Sequence, residues 1–238
     1  WWQDYVDDPI SYKEKIAAGT EKPNLIATEL LALIENPTVE LTRVLTMLIA
    51  AEEYYRVMAD DKYKAWNVRS RHMAGYVSQL LDNNPSEKGV VVWAHNSHVG
   101  DMSGTLIEDS ELVNLGQLMR MEFGRENVFI MGSATYEGSA LAALNWGDSV
   151  KEYIVPPAQP GSIEALLQST EWDNPLLFWE TEEQRQQWDV PFLHRGIGVV
   201  YDPQDEVPDN YLSANFSRRY DALVFWKKSR ALRRLSNP

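Results

Sequence analysis

Cysteine is missing altogether from these 238 residues. No disulfide framework, thiol nucleophile or thiolate metal site is therefore available, and the chain is compatible with a reducing compartment, so the cytoplasm is the expected location. No apolar run approaches the ~20 residues that a membrane-spanning helix needs, and no signal peptide is visible. Basic residues are in the minority: 22 Lys and Arg stand against 35 Asp and Glu, a net charge of −13. A surface of that sign disfavours nucleic acid and anionic membrane as main partners, so neither is expected. The dinucleotide pattern GxGxxG, the phosphate cradle GxxxxGK[ST], the zinc pattern HExxH and the nucleophile elbow GxSxG are all absent. No cofactor is expected.

What is present is enough apolar residue, 44%, to build a sizeable core. The chain opens on Trp1 and Trp2, an odd beginning for a natural domain, so the native protein is expected to continue upstream. Residues 1–84 read as a helical subdomain and 85–238 as an α/β portion. In the first, Asn36-Pro37 predicts a cap and first turn for a helix over about 37–59. Leu25, Ile26, Leu30, Leu33 and Ile34 predict the helix that precedes it in a hairpin. A third helix is expected over about 61–81, with an apolar stripe of Trp66, Met73, Val77 and Leu80. Arg69 falls on that stripe, where a buried guanidinium would need a carboxylate or a ligand anion, unless its stem reaches past the stripe to solvent. His72 reads as an exposed helix residue.

The chemistry centres on VVVWAHNSHVGD, Val90 to Asp101. Four apolar residues, three of them β-branched, predict a strand buried on both faces, as in a parallel sheet. His95, Asn96, His98 and Asp101 follow at its carboxyl end, where open α/β sheets form ligand crevices. Three readings fit. The imidazoles could be hydrogen-bonded structural groups. They could bind a metal with Asp101, although His-Asn-Ser-His is not a helical zinc pattern and no cysteine is available. Or they could serve in general acid/base work, with Asn96 or Asp101 orienting a tautomer or a water.

Beyond the motif, strands and helices alternate. Residues 101–110 read as a loop, and SELVNLGQLMRMEFG as a helix ending at Gly124. NVFIMG reads as a second buried strand. It leads into a loop, SATYEGSALAA, whose Tyr136 and Glu137 are placed to line the same cleft. GSIEALLQS and TEEQRQQW read as helices, the latter opened by a Thr181/Gln184 capping box, while PLLFWE, HRGIGVVYDP and DALVFW read as strands. The basic run RRYDALVFWKKSRALRR reads as that last strand with solvated charged flanks. The fold class expected is α/β: a parallel or mixed sheet flanked by helices, with an N-terminal helical subdomain.

The NVRSRHMAGYV helix, VVVWAHNSHVGD, GSATYEGS, VPPAQPGSIEALL, RGIGVVYDP and RRYDALVFWKKSRAL occur in an order and spacing that resemble the erythromycin esterase family over most of residues 60–235. His-Asn-x-His after a strand is the most specific of these features. The resemblance implies an α/β core with a helical subdomain, and a hydrolase that opens the macrolactone ester of macrolides without a metal. It places the paired active-site histidines on His95 and His98, and the arginine of the family's N-x-R-D-x-x-M helix on Arg69. The acidic residue after that arginine is Ser70 here. The family's upstream G-E-x-x-H-G segment, whose histidine is thought to activate water, has no counterpart in these residues. Catalytic residues expected are therefore His95 and His98; substrate-binding residues are Arg69, Asn96, Asp101, Tyr136 and Glu137. Expected partners are a small-molecule substrate and the upstream portion of the same protein. The alternative is a noncatalytic small-molecule-binding module of the same fold.

Overall fold

The computed structural model describes residues 8–18, 23–83, 89–107, 111–206 and 210–233. Two compact units divide the chain: residues 1–91 with 111–118, and residues 92–110 with 119–238.

The first unit is built from helices Pro9–Ala17, Pro23–Leu33, Val39–Met58 and Lys62–Asp82. The expected hairpin is present, but its second helix begins two residues late. Asn36 takes a left-handed φ of 55° and serves the turn, and Thr38 caps instead, its hydroxyl accepting from Leu41 N at 3.2 Å. Asp61 caps the third long helix, accepting from Tyr63 N at 2.9 Å and Lys64 N at 3.0 Å. The face this helix buries is Ala65, Ser70 and Ala74, not the large-residue stripe expected. Trp66 is half-buried and donates its indole N–H to Val113 O at 2.8 Å. Arg69, expected on a buried stripe, is consequently exposed. His72 is half-buried, and that burial pushes its imidazole below the ordinary histidine range.

The second unit holds a four-stranded mixed sheet in the order β2-β1-β6-β3. Its strands are β1 (Met131–Ala142), β2 (Lys151–Val155), β3 (Leu176–Phe178) and β6 (Ala222–Lys228); β4 (Pro191–Arg195) and β5 (Tyr211–Asn215) form a separate antiparallel ribbon. β1 runs parallel to β6 from Met131↔Ala222 to Glu137↔Lys228, then antiparallel to β2 from Gly138↔Val155 onward. The change of partner falls on Gly138. Its φ is +137°, and a Cβ there would stand 2.2 Å from Ser229 O, so only glycine fits. The helix Ile163–Gln168, capped by Ser162, packs on β1 and β6. Ile130, Ala134, Ile163, Leu167, Trp179, Phe216, Tyr220, Leu223 and Phe225 form the core between them. A mixed sheet flanked by helices, with a helical N-terminal region, is the architecture that patterning predicted.

Several elements differ from expectation. Val90–Trp93 joins no strand among the described residues, and Val91 and Trp93 are 93% and 98% exposed. A two-faced buried strand needs hydrogen-bonded neighbours, and within these residues β1 takes β2 and β6 instead. Residues 133–142, expected as a loop, continue β1. The β-like run HRGIGVVYDP is strand only through Arg195, with Val200 making a single bridge to Ala143. The helix before Gly124 starts at Leu115, where Asn114 Oδ1 accepts from Gln117 N at 3.1 Å; Gly124 ends it with φ +83° as expected.

Candidate active site

The motif folds as one helical turn, Asn96–Val99, with His95 as its cap residue. His95 Nδ1 accepts from Ser97 N at 3.2 Å and lies 2.9 Å from Ser97 Oγ. An imidazole whose Nδ1 accepts carries its proton on Nε2, and the ring also makes a hydrogen bond with the Ile197 backbone. Desolvation, opposed by the Ile197 bond and joined by the charge of Arg219, holds His95 below the usual histidine range. The group is thus a neutral imidazole with an N–H to offer.

Asn96 fixes the turn against the sheet. Its Nδ2 donates to Ser133 O at 2.6 Å and its Oδ1 accepts from Ser133 N at 3.1 Å, so a side chain satisfies both backbone groups of Ser133, whose register partner on β6 is Val224. A buried ring of hydrogen bonds supports this clamp. Arg219 Nη2 donates to Asn96 O at 3.1 Å and Arg219 Nε to Tyr220 Oη at 2.9 Å. Tyr220 Oη lies 3.5 Å from His194 Nδ1, and His194 Nε2 lies 3.3 Å from Ser133 O. The directions agree if Tyr220 donates to His194 and His194 donates to Ser133, which requires a neutral imidazole. Burial, together with the charge of Arg219, pushes His194 down to about 3.

Above the clamp lies a cleft of about 260 Å³ lined by residues that include His95, Asn96, Ser133, Arg195, Ile197 and Trp226. Arg195 is held by Glu206 at 3.1 Å and by the carbonyls of Pro156 and Thr135 at 2.8 and 2.9 Å, and also by that of Tyr136. Glu164 is fully buried beneath it, Oε1 accepting from Arg195 N at 3.0 Å. Burial drives its carboxyl up to about 7, so its 3.7 Å approach to His194 is a contact between neutral groups in mildly acidic solution rather than an ion pair.

This yields a pH prediction. A carboxyl whose folded pKa is raised keeps its proton where the unfolded chain has lost it, so its contribution to stability is complete below about 4.5 and is lost as pH rises to about 7. Glu164→Gln carries no such loss. The stability of the variant relative to the parent should rise between those two pH values by up to about 3 kcal/mol and then level off. Urea denaturation from pH 4.5 to 8 measures it; a difference flat in pH would show that Glu164 titrates normally. His194 changes stability in the opposite sense but is common to both proteins.

Of the residues read from the sequence, the structure places His95 and Asn96 in the cleft wall. His98 is half-buried on the same turn and is not among the lining residues. Asp101 does not face the cleft: it is 5% exposed and binds Arg120 at 3.0 Å and Ser103 Oγ at 2.6 Å. Tyr136 packs against the core. Glu137, beyond the cleft on β1, pairs with Lys228 at 3.8 Å. Arg69 lies in the other unit, near Tyr55. The residues that patterning missed are Glu164, His194, Arg195, Arg219 and Tyr220. Their one legible signal was polar residues closing apolar runs, Phe-Leu-His-Arg and the Arg-Arg-Tyr-Asp before β6. The latter had been read as a solvated flank, yet Arg219 is 2% exposed.

A mixed sheet with a histidine-bearing turn clamped to the side of β1 defines an α/β fold with a strand-side cleft. The family model for erythromycin esterase matches residues 27–229, and the chain belongs to that family. A Bacillus subtilis (strain 168) protein named "Putative hydrolase YbfO" is 25% identical over 183 residues, 73% of this chain and 37% of its own length. Among solved structures, a succinoglycan biosynthesis protein superposes with a TM-score of 0.70 at 18% identity, covering 96% of this chain and 53% of its own. A mutant of the erythromycin esterase EreC in its open conformation gives 0.62 at 17% identity, covering 95% and 55%. The chain thus spans about half the length of these structures and just over a third of that relative. No helix among the described residues is long and apolar enough to cross a membrane.

Proposed function

We propose that this chain carries the substrate-polarising part of a cytoplasmic esterase that cleaves an ester, a macrolactone or a related small molecule, by attack of water. The observation that carries the reading is the state of His95. Its Nδ1 lone pair is engaged by Ser97, so the imidazole is poorly placed to take a proton from water. Its Nε2–H can instead turn to a substrate carbonyl and stabilise the oxygen as charge develops there. His98, one turn along, is assigned to the same site, and Arg69 to a substrate contact. The Asn96 side chain is spent on Ser133, which makes it the clamp that holds the donor in place. Water activation is assigned to a histidine/glutamate segment outside these residues, and no metal is assigned to the reaction.

The test is ester hydrolysis by the full-length protein and by this chain alone, on macrolides and simple esters. The full-length protein should turn over, and the isolated chain should be slower by ~10² to 10⁴-fold, the usual worth of a general base. Full activity in the isolated chain would refute the division of labour. Macrolide binding without cleavage by the full-length protein would favour a noncatalytic binding module.

A further inference from the structure

Among the described residues, Arg219 is a buried cation without a counter-charge. It is 2% exposed, and no carboxylate lies within ion-pair distance of it among the described residues, whereas Arg120, Arg125, Arg185, Arg195 and Arg218 each have one. Its Nε and Nη2 hold Tyr220 and the Asn96 carbonyl, but its Nη1 is buried with no hydrogen-bond partner. Leaving a charge buried and unpaired is costly. The guanidinium sits directly behind the cleft wall, since Asn96, which it binds, lines the cleft, and its charge reaches both His95 and His194. Arg195, in the lining, is paired with Glu206, but its Nε is also buried and unpartnered. Glu164, pushed up to about 7, supplies at most a partial negative charge nearby. Among the described residues the wall of the cleft therefore holds one arginine, Arg219, that no carboxylate balances, in a sequence of net charge −13.

We propose that the cleft beside His95 is a carboxylate-binding site, in which the uncompensated guanidinium of Arg219, with Arg195 in the lining, supplies the charge that the acid group of a bound ligand neutralises. The choice of a carboxylate rests on the hydrolase reading: water adds to the acyl carbon, the ester C–O bond breaks, the alcohol takes one proton, and the acid loses the other to solvent as carboxylate. The charge imbalance rests on geometry alone. Arg219 acts through the low-dielectric wall rather than by contact, because Nη1 is covered, and the ligand's oxygen meets the His95 N–H.

The experiment titrates the full-length protein with acetate at fixed ionic strength, following the His95 imidazole resonances, which a His95→Ala spectrum assigns. Acetate should give a saturable shift and raise the titration midpoint of His95; acetamide and chloride should do neither. Arg219→Met should weaken acetate binding on the order of tenfold or more, and Arg219→Lys, which keeps the charge, should retain most of it. If the methionine variant does not fold, the lysine variant and the acetamide control still decide. Absence of saturation with acetate, equal binding by a folded Arg219→Met, loss of binding in a folded Arg219→Lys, or tighter binding of inorganic phosphate than of acetate would each overturn the proposal. Acetate binding in a protein that cleaves no ester would leave the site standing and remove the hydrolase reading; cleavage without acetate binding would do the reverse.

Discussion

Arg120→Met is expected to destabilise the protein by about 3–5 kcal/mol, the range found when one member of a buried ion network is removed. The arginine is 8% exposed and bridges two carboxylates that patterning had not connected. Its Nη1 reaches Asp101 at 3.0 Å and Arg218 O at 2.7 Å, and its Nη2 reaches Asp221 at 2.7 Å. Asp221 also draws Arg125 at 3.3 Å and Arg185 at 3.2 Å, and accepts from Ile130 N at 2.8 Å. Methionine fills the stem volume but leaves Asp101 buried with no cation. That loss reaches the cleft, because Asp101 follows the histidine turn directly and its N–H donates to Arg219 O at 3.0 Å. Asp101→Asn in the Arg120→Met background should recover part of the stability, since it neutralises the orphaned charge. Urea denaturation of the two variants measures both effects. A loss below about 1 kcal/mol, the worth of an exposed pair, would mean that the network is solvated.

His95→Ala is expected to lower turnover of the full-length protein by ~10² to 10³-fold, as removal of a donor to a developing oxyanion does. Stability should change little. His95 is exposed at the cleft, and the variant loses the local cap on Ser97, worth about 1 kcal/mol, and the hydrogen bond with the Ile197 backbone. His98→Ala should fall in the same direction, and the double variant should be little worse than the worse single one, because residues acting on one transition state are not additive. Rates and thermal midpoints of the three variants decide this. A folded His95→Ala of full activity would remove the histidine from the reaction.

The parts of this site that were legible in the sequence are those that local chemistry encodes. His-Asn-Ser-His after an apolar run marked the turn, Thr181 and Gln184 marked a capping box that is present, and β6 was visible as Ala-Leu-Val-Phe-Trp. What was hidden depends on contacts distant in the chain. Nothing near Asn96 indicates that its side chain satisfies both backbone groups of Ser133, 37 residues away. Nothing in Arg-Arg-Tyr-Asp separates exposed Arg218 from buried Arg219, because the difference arises only when Arg219 turns beneath the Asn96–Gly100 backbone. Val90–Trp93 misled for the same reason: β-branched composition fits a pleated surface, but pairing is set by which neighbours are there. Likewise Asp101 had the right chemistry for a substrate contact and was taken by Arg120 in the core.

The central claim is that His95 polarises the substrate and does not activate water. Turnover of the full-length His95→Gln variant against His95→Ala tests it most directly, since glutamine keeps an N–H donor of similar reach and cannot act as a base. The account predicts that His95→Gln turns over roughly tenfold or more faster than His95→Ala; equal inactivity of the two, with both proteins folded, would contradict it.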